Sequence, residues 1–274
     1  MERGCLIARS ELFITGGENV KIKGLGNYRG YGFRKEWLQY YIELGDNLWG
    51  SDTLGKSGYD ALKVWLREAE ITSDNVLTDL GKKVCTIGAN DIRVWAIIFN
   101  NLAYNSPIIR WYAQNIEFDV TYKIKDIVAM LGQRHSISTR ENAVASLKET
   151  FKTSPIGVEL GVGVYEMKGR VVTTVVRTAW KEPEPLVILY SLYKFAETGY
   201  GYHSFTFAEL LNDNGERAGI SPVGIFGIEK EGLKQTLQCL SIDYPEFINV
   251  AFNKDLDNIN LRKERTSIDV LKLL

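Results

Sequence analysis

Residues 50–57 read GSDTLGKS, which fits the phosphate-loop pattern G-x-x-x-x-G-K-[ST] letter for letter. The pattern is demanding about fold. An apolar strand must run into the first glycine, and a helix must start at the lysine so that its first amides cradle phosphate. The second condition is met: in SGYDALKVWLREAEI, Ala61, Leu62, Trp65, Leu66 and Ala69 form an apolar stripe at helical spacing. The first condition fails. The preceding FRKEWLQYYIELG sets Phe33, Trp37, Leu38, Tyr41 and Ile42 at helical spacing, and DNLWGSDT is short and polar. Asp46 and Asp52 would repel phosphate. The apolar runs VVTTVVRTAW and PLVILYSLYKF end without the aspartate that holds Mg²⁺ in such folds. Nucleotide binding through Gly50–Ser57 is therefore an alternative that lacks its strand.

Helix, glycine-containing turn, helix is instead the order of a helix-turn-helix. LGKSG becomes the turn and Lys56–Ser57 open the second helix. Val76, Leu77, Leu80 and Val84 then read as a short strand leading into a small helix, and LTDLG matches a segment common after the recognition helix of winged-helix proteins. On a DNA-reading helix, side chains near the N-terminus reach base edges, which selects Lys56, Ser57 and Lys63. Residues 56–83 carry five Lys/Arg and five Asp/Glu, so an equally good account is the solvated face of a packed helix.

The order recurs. In VTYKIKDIVAMLG, Ile124, Ile127, Val128 and Leu131 form one helical stripe; in STRENAVASLKETFKTSP, Ala143, Val144, Leu147 and Phe151 form another. Ser138 or Thr139 is the expected N-cap, and Pro155 helps to stop the helix. GVGVYEMKGRVVTTVVRTAW then reads as a hairpin turning near Lys168–Gly169. A third, helix-rich stretch ends in the candidate strands EFINVAFN and INLRK. The expected fold is mainly α with small β-hairpins, an α+β chain of tandem winged helix-turn-helix units around a helical connector. The units are residues 1–90, with a basic glycine-rich N-terminal segment, 120–181, and an acidic 182–274. The connector, 91–119, holds Trp95, Ile97, Ile98, Phe99, Leu102, Ile108, Ile109 and Tyr112, and reads as a helical pair forming the central core.

Charge separates the units. Residues 121–181 hold ten Lys/Arg and five Asp/Glu, whereas 182–260 hold five and twelve. Phosphate contact needs a positive local field, so the middle unit is the better candidate for double-stranded DNA. Arg134, Arg140, Asn142 and Lys148 belong on or near its second helix, and Lys168 and Arg170 at its hairpin tip. The acidic last third suits a protein partner. KIKGLGNYRGYGFRKEW, with glycines at 24, 26, 30 and 32, reads either as a phosphate-contact loop or as an irregular segment capping the first helix.

Other chemistries find little support. Cys5, Cys85 and Cys239 are far apart and form no C-x-x-C pair, which excludes a disulfide framework or a Cys-rich zinc site. His135 and His203 stand alone, each reading as a solvated loop residue. No G-x-S-x-G elbow occurs. MERGCLIARS lacks the apolar core of a signal peptide, and no stretch of about 18 apolar residues occurs. The expectation is a cytoplasmic, non-catalytic protein with no metal, cofactor or membrane partner.

Four segments, GFRKEWLQYYIEL, LGKSGYDALKVWLREAEI, LTDLGKKV and SPVGIFGIEKEGLKQTL, together resemble an uncharacterised bacterial family. Its members are encoded beside phosphoadenosine-phosphosulfate-reductase-like proteins in DNA-modification and phage-defence gene clusters. The family's L-G-x-G-K turn is followed by a helix with a W-L pair, here Trp65–Leu66. A [SP]-P-x-x-x-F segment lies near its C-terminus, here Ser221–Pro222 and Phe226. Leu54 stands where the family usually has glycine. The resemblance implies an accessory subunit that binds DNA or docks a reductase-like or other DNA-processing partner. A subunit that contacts protein only is the alternative it leaves open.

Overall fold

The computed structural model describes residues 21–199, 201–212, 219–253 and 256–274; Cys5 and the rest of the first twenty lie outside them. The chain is built around one helix that is apolar nearly all round. This is α4 (Ile92–Asn105), which begins at Asp91, whose carboxylate accepts the Arg93 amide. Eleven of its 14 residues are buried, so it has no solvent face to offer and must lie at the centre. Pro107 at the start of α5 (Pro107–Asn115) turns the chain back, with Ser106 as cap. This is the helical pair expected of the connector.

Before it lie α1 (Lys35–Leu44), a 3-10 helix (Gly45–Gly50), α2 (Lys56–Glu68), a hairpin of β1 (Thr72–Ser73) and β2 (Val76–Leu77), and α3 (Asp79–Ile87). α2 presses Ala61, Leu62, Trp65 and Leu66 inward, the stripe read from the sequence. After the pair come β3 (Thr121–Lys123), α6 (Ile124–Met130), α7 (Ile137–Thr153), α8 (Pro155–Val158), β4 (Val164–Lys168) and β5 (Val171–Val176). β5 is the middle strand, antiparallel to both β3 and β4. The hairpin turns on Gly169 and Arg170, with Gly169 at φ 64, a conformation that favours glycine.

The last third repeats this connectivity. α9 (Pro185–Thr198) leads to β6 (Ser204–Phe205), α10 (Phe207–Leu211), α11 (Pro222–Phe226), α12 (Lys230–Asp243), β7 (Ile248–Asn253), β8 (Leu256–Leu261) and α13 (Ser267–Leu271). Here β8 lies between β6 and β7. The overall class is thus α+β, helices with small antiparallel sheets, as the sequence reading expects. α7 starts two or three residues earlier than its expected caps: Ser136 accepts the Thr139 amide at 3.2 Å.

Polar ties join the thirds across one hydrophobic core that runs from Leu25 to Leu271. Tyr190 on α9 donates to Asn101 at 2.9 Å, and Asn101 donates to the Ala69 carbonyl at 3.1 Å. Lys194 pairs with Glu70 at 2.9 Å. Arg177, just past β5, is 1% exposed and donates to the carbonyls of Ala113 (2.7 Å), Ile116 (3.1 Å), Gly224 and Ile225 (3.1 Å). Burial pulls its pKa down to about 10, so it stays protonated at neutral pH. It joins the middle sheet, α5 and α11, and it is a structural cation that the middle unit's sequence charge overcounts as surface.

Candidate nucleic-acid interface

Residues 50–57 do not form a phosphate cradle. A 3-10 helix precedes them in place of a strand. The loop amides are engaged: Leu54 N–H donates to the Tyr59 hydroxyl at 3.1 Å and Thr53 N–H to Ser51 Oγ at 3.3 Å. The Tyr59 hydroxyl in turn donates to the Ser51 carbonyl at 2.5 Å. The loop is stapled onto its own helix. Lys56 is exposed at the first turn of α2, Ser57 is half-buried, and the Lys63 ammonium lies over the Trp49 ring, 4.8 Å from its centre.

In the middle unit, Lys168 and Arg170 stand exposed at the β4–β5 turn, with nothing within 4 Å of where a Gly169 side chain would begin. Arg134 is exposed in the loop before α7. Arg140 bends toward α6, its guanidinium donating to the Val128 carbonyl at 3.4 Å. Lys148 is half-buried and Asn142 exposed on α7. The structure therefore puts these six residues on one unit, at two separate places: the hairpin tip and the flank of α7.

The sequence missed what lies over α7. Residues 21–33 cross it as a strap. Gly32 sits so close that a Cβ there would collide with the backbone of Glu149 and Thr150, and Gly26 and Gly30 pass over Thr139 and Asn142. The Phe33 amide donates to Thr150 Oγ1 at 2.8 Å, and the Ile22 amide to His135 Nε2 at 2.9 Å. His135 is thus a buried anchor where the sequence suggests a solvated residue. Burial, with Lys21 and Arg140 nearby, lowers its pKa and keeps the ring neutral, as an acceptor must be.

The strap's other side grips α2. Tyr28 stacks on Trp65 with ring centres 4.2 Å apart. Its hydroxyl donates to Glu68 at 2.6 Å and meets Ser106 at 2.6 Å. Arg29 pairs with Asp60 at 3.2 Å, and the Trp65 indole donates to the Tyr31 carbonyl at 3.0 Å. Burial pushes the Glu68 carboxyl up to about 7, against the lowering effects of Tyr28, Arg67 and Ser106. The strap thereby ties together α2 and α7, the two helices for which the sequence suggests a DNA-reading role.

No family model and no curated protein matches the chain in sequence. Two solved structures match in fold. One is a magnesium-bound SspB, with a TM-score of 0.68, 14% identity, and coverage of 90% of this chain and 86% of that one. The other is SspB with a TM-score of 0.66, 14% identity, and coverage of 90% and 85%. Likeness at this identity is one of fold. Among the described residues of this chain, no group of three or more His, Cys, Asp or Glu side chains could hold a metal. Nor is any described helix long and apolar enough to cross a membrane. These two observations concern the described residues alone.

Proposed function

We propose that the chain is a DNA-contacting accessory subunit of a bacterial DNA-modification or phage-defence assembly, with no chemistry of its own. The observation that carries the reading is the middle unit. Its order of strand, short helix, long helix and hairpin, with the last strand between the other two, is read here as a winged helix. The hairpin is its wing, and the wing's tip presents Lys168 and Arg170 to solvent. Phosphate contacts by such cations supply the sequence-independent part of DNA affinity. Arg134, Arg140, Asn142 and Lys148 flank α7 and extend the surface; Lys56, Ser57 and Lys63 on α2 belong to the first unit's side of it.

The fold shared with SspB fits this setting. So does the resemblance to a family encoded beside phosphoadenosine-phosphosulfate-reductase-like proteins, which makes such a protein the proposed partner. The acidic last third, with five Lys/Arg and twelve Asp/Glu over residues 182–260, is the proposed side for that partner. It would repel phosphate and can complement a basic protein surface.

The test is binding of the purified chain to random-sequence duplex at low and physiological salt, with Arg140→Ala/Lys168→Ala beside the wild type. Salt-sensitive binding weakened in the double variant supports the reading. No binding at low salt rejects autonomous DNA contact and leaves a subunit that docks protein only.

A further inference from the structure

Two cations on or beside the strap are neutralised by a neighbour. Arg29 has Asp60 at 3.2 Å and Arg34 has Glu149 at 3.3 Å. Farther off, Arg93, Lys194 and Lys82 have Asp91, Glu70 and Asp79. Lys21, Lys23 and Arg140 differ: among the described residues none has a carboxylate within ion-pair distance. They come from separate elements. Lys21 and Lys23 are exposed on the strap, while Ile22 between them packs against the core and is tied by its amide to His135. Both lysines are exposed on either side of the partly buried Ile22. Arg140 follows Thr139 on α7, over which Gly26 of the strap passes.

The same geometry restricts how α7 can meet DNA. Its face at Thr139, Glu149 and Thr150 lies under the strap, with backbone against backbone at Gly32. A duplex approaching that face meets the strap first. The helix cannot enter a major groove there without the strap being lifted, which would break the Ile22–His135 and Phe33–Thr150 bonds.

We infer that the strap is itself a DNA-contact element: Lys21 and Lys23, with Arg140, grip the phosphate backbone of a duplex over the strapped face of α7. This rests on the DNA-contacting reading of the middle unit and adds a second site of contact to the wing. The contact is to backbone, so it carries no base specificity of its own. It also explains why the strap is anchored from both sides. A phosphate-contacting segment must be held in place before it binds, or its ordering costs affinity.

The test compares random-sequence duplex binding across a salt series for four proteins: wild type, Lys168→Ala/Arg170→Ala, Lys21→Ala/Lys23→Ala, and Lys272→Ala as a charge control. Both strap lysines are exposed, so unfolding temperatures should match the wild type and folding does not confound the result. Each phosphate contact adds about 0.9 to the slope of log affinity against log salt. The inference expects each double variant to lose about two units of that slope, and Lys272→Ala to lose none. If the wing variant loses slope and the strap variant does not, the strap contact is overturned while the reading beneath it stands. If the wild type binds no duplex, both are overturned.

Discussion

The Tyr28 hydroxyl donates to Glu68 Oε2 at 2.6 Å, so a residue of the glycine-rich strap closes over a carboxylate on α2 that burial has taken out of water. The buried charge is costly, and the Glu68 carboxyl titrates at about 7 in place of its usual 4.5. The folded state therefore holds this proton more tightly than the unfolded chain does. Its stabilising effect is complete below pH 4.5 and is lost as pH rises through about 7. The loss is on the order of 3 kcal/mol. Glu68→Gln keeps an acceptor for Tyr28 and removes the titration. Its melting temperature should vary less than the wild type's between pH 5 and 8 and should exceed it at the upper end. Parallel melting curves for the two proteins would show that Glu68 is not the buried acid described.

Gly32 and Gly26 lie six residues apart on the same strap and should respond differently to alanine. At Gly32 a methyl would meet the α7 backbone, which cannot give way, whereas at Gly26 its nearest neighbour is Thr139 Cγ2 at an ordinary 3.7 Å. Gly32→Ala should cost roughly 1–3 kcal/mol by overpacking. Gly26→Ala should change stability by about half a kcal/mol or less, the range of ordinary surface changes. Urea unfolding measures both; equal effects would mean that the strap does not sit down on α7.

Arg177 is a fork whose tines reach carbonyls on two elements outside its own sheet. Arg177→Ala leaves these buried acceptors without donors and should destabilise the chain by roughly 2–4 kcal/mol. Arg177→Lys keeps the charge but cannot span both sets of carbonyls, so equilibrium unfolding should recover only part of that loss. Full recovery by lysine would mean that charge alone, not the fork, makes the joint.

Lys56 offers a direct test of the phosphate-loop alternative. With the Leu54 and Thr53 amides engaged inside the loop, magnesium-ATP should not raise the unfolding temperature, and Lys56→Ala should behave as the wild type does with or without nucleotide. A nucleotide-dependent rise in the wild type that Lys56→Ala abolishes would restore that alternative.

Elements with a local signal were legible in the sequence. The apolar stripes of α2, α6 and α7 appear at 3.6-residue spacing, and the hairpin shows itself by glycine at a tight turn between β-branched runs. The strap was not legible, because its meaning lies in contacts such as Ile22–His135 and Phe33–Thr150, more than a hundred residues apart. Its glycines suggest a loop that approaches a ligand; Gly32 instead approaches a helix of the same chain. Arg177 counts as surface charge in any tally by residue type, and only its burial reveals it as part of the frame. Ser136 lost out as the α7 cap because the string HSISTR offers several hydroxyls and nothing local ranks them.

The measurement that bears most directly on the DNA-contacting account is the salt dependence of duplex binding by the wild type beside Arg140→Ala/Lys168→Ala. The account expects log affinity to fall steeply and linearly with log salt, and the double variant to bind more weakly with a slope lower by about two. A wild type that fails to bind at low salt, or a double variant indistinguishable from it, would contradict the claim that the middle unit meets DNA.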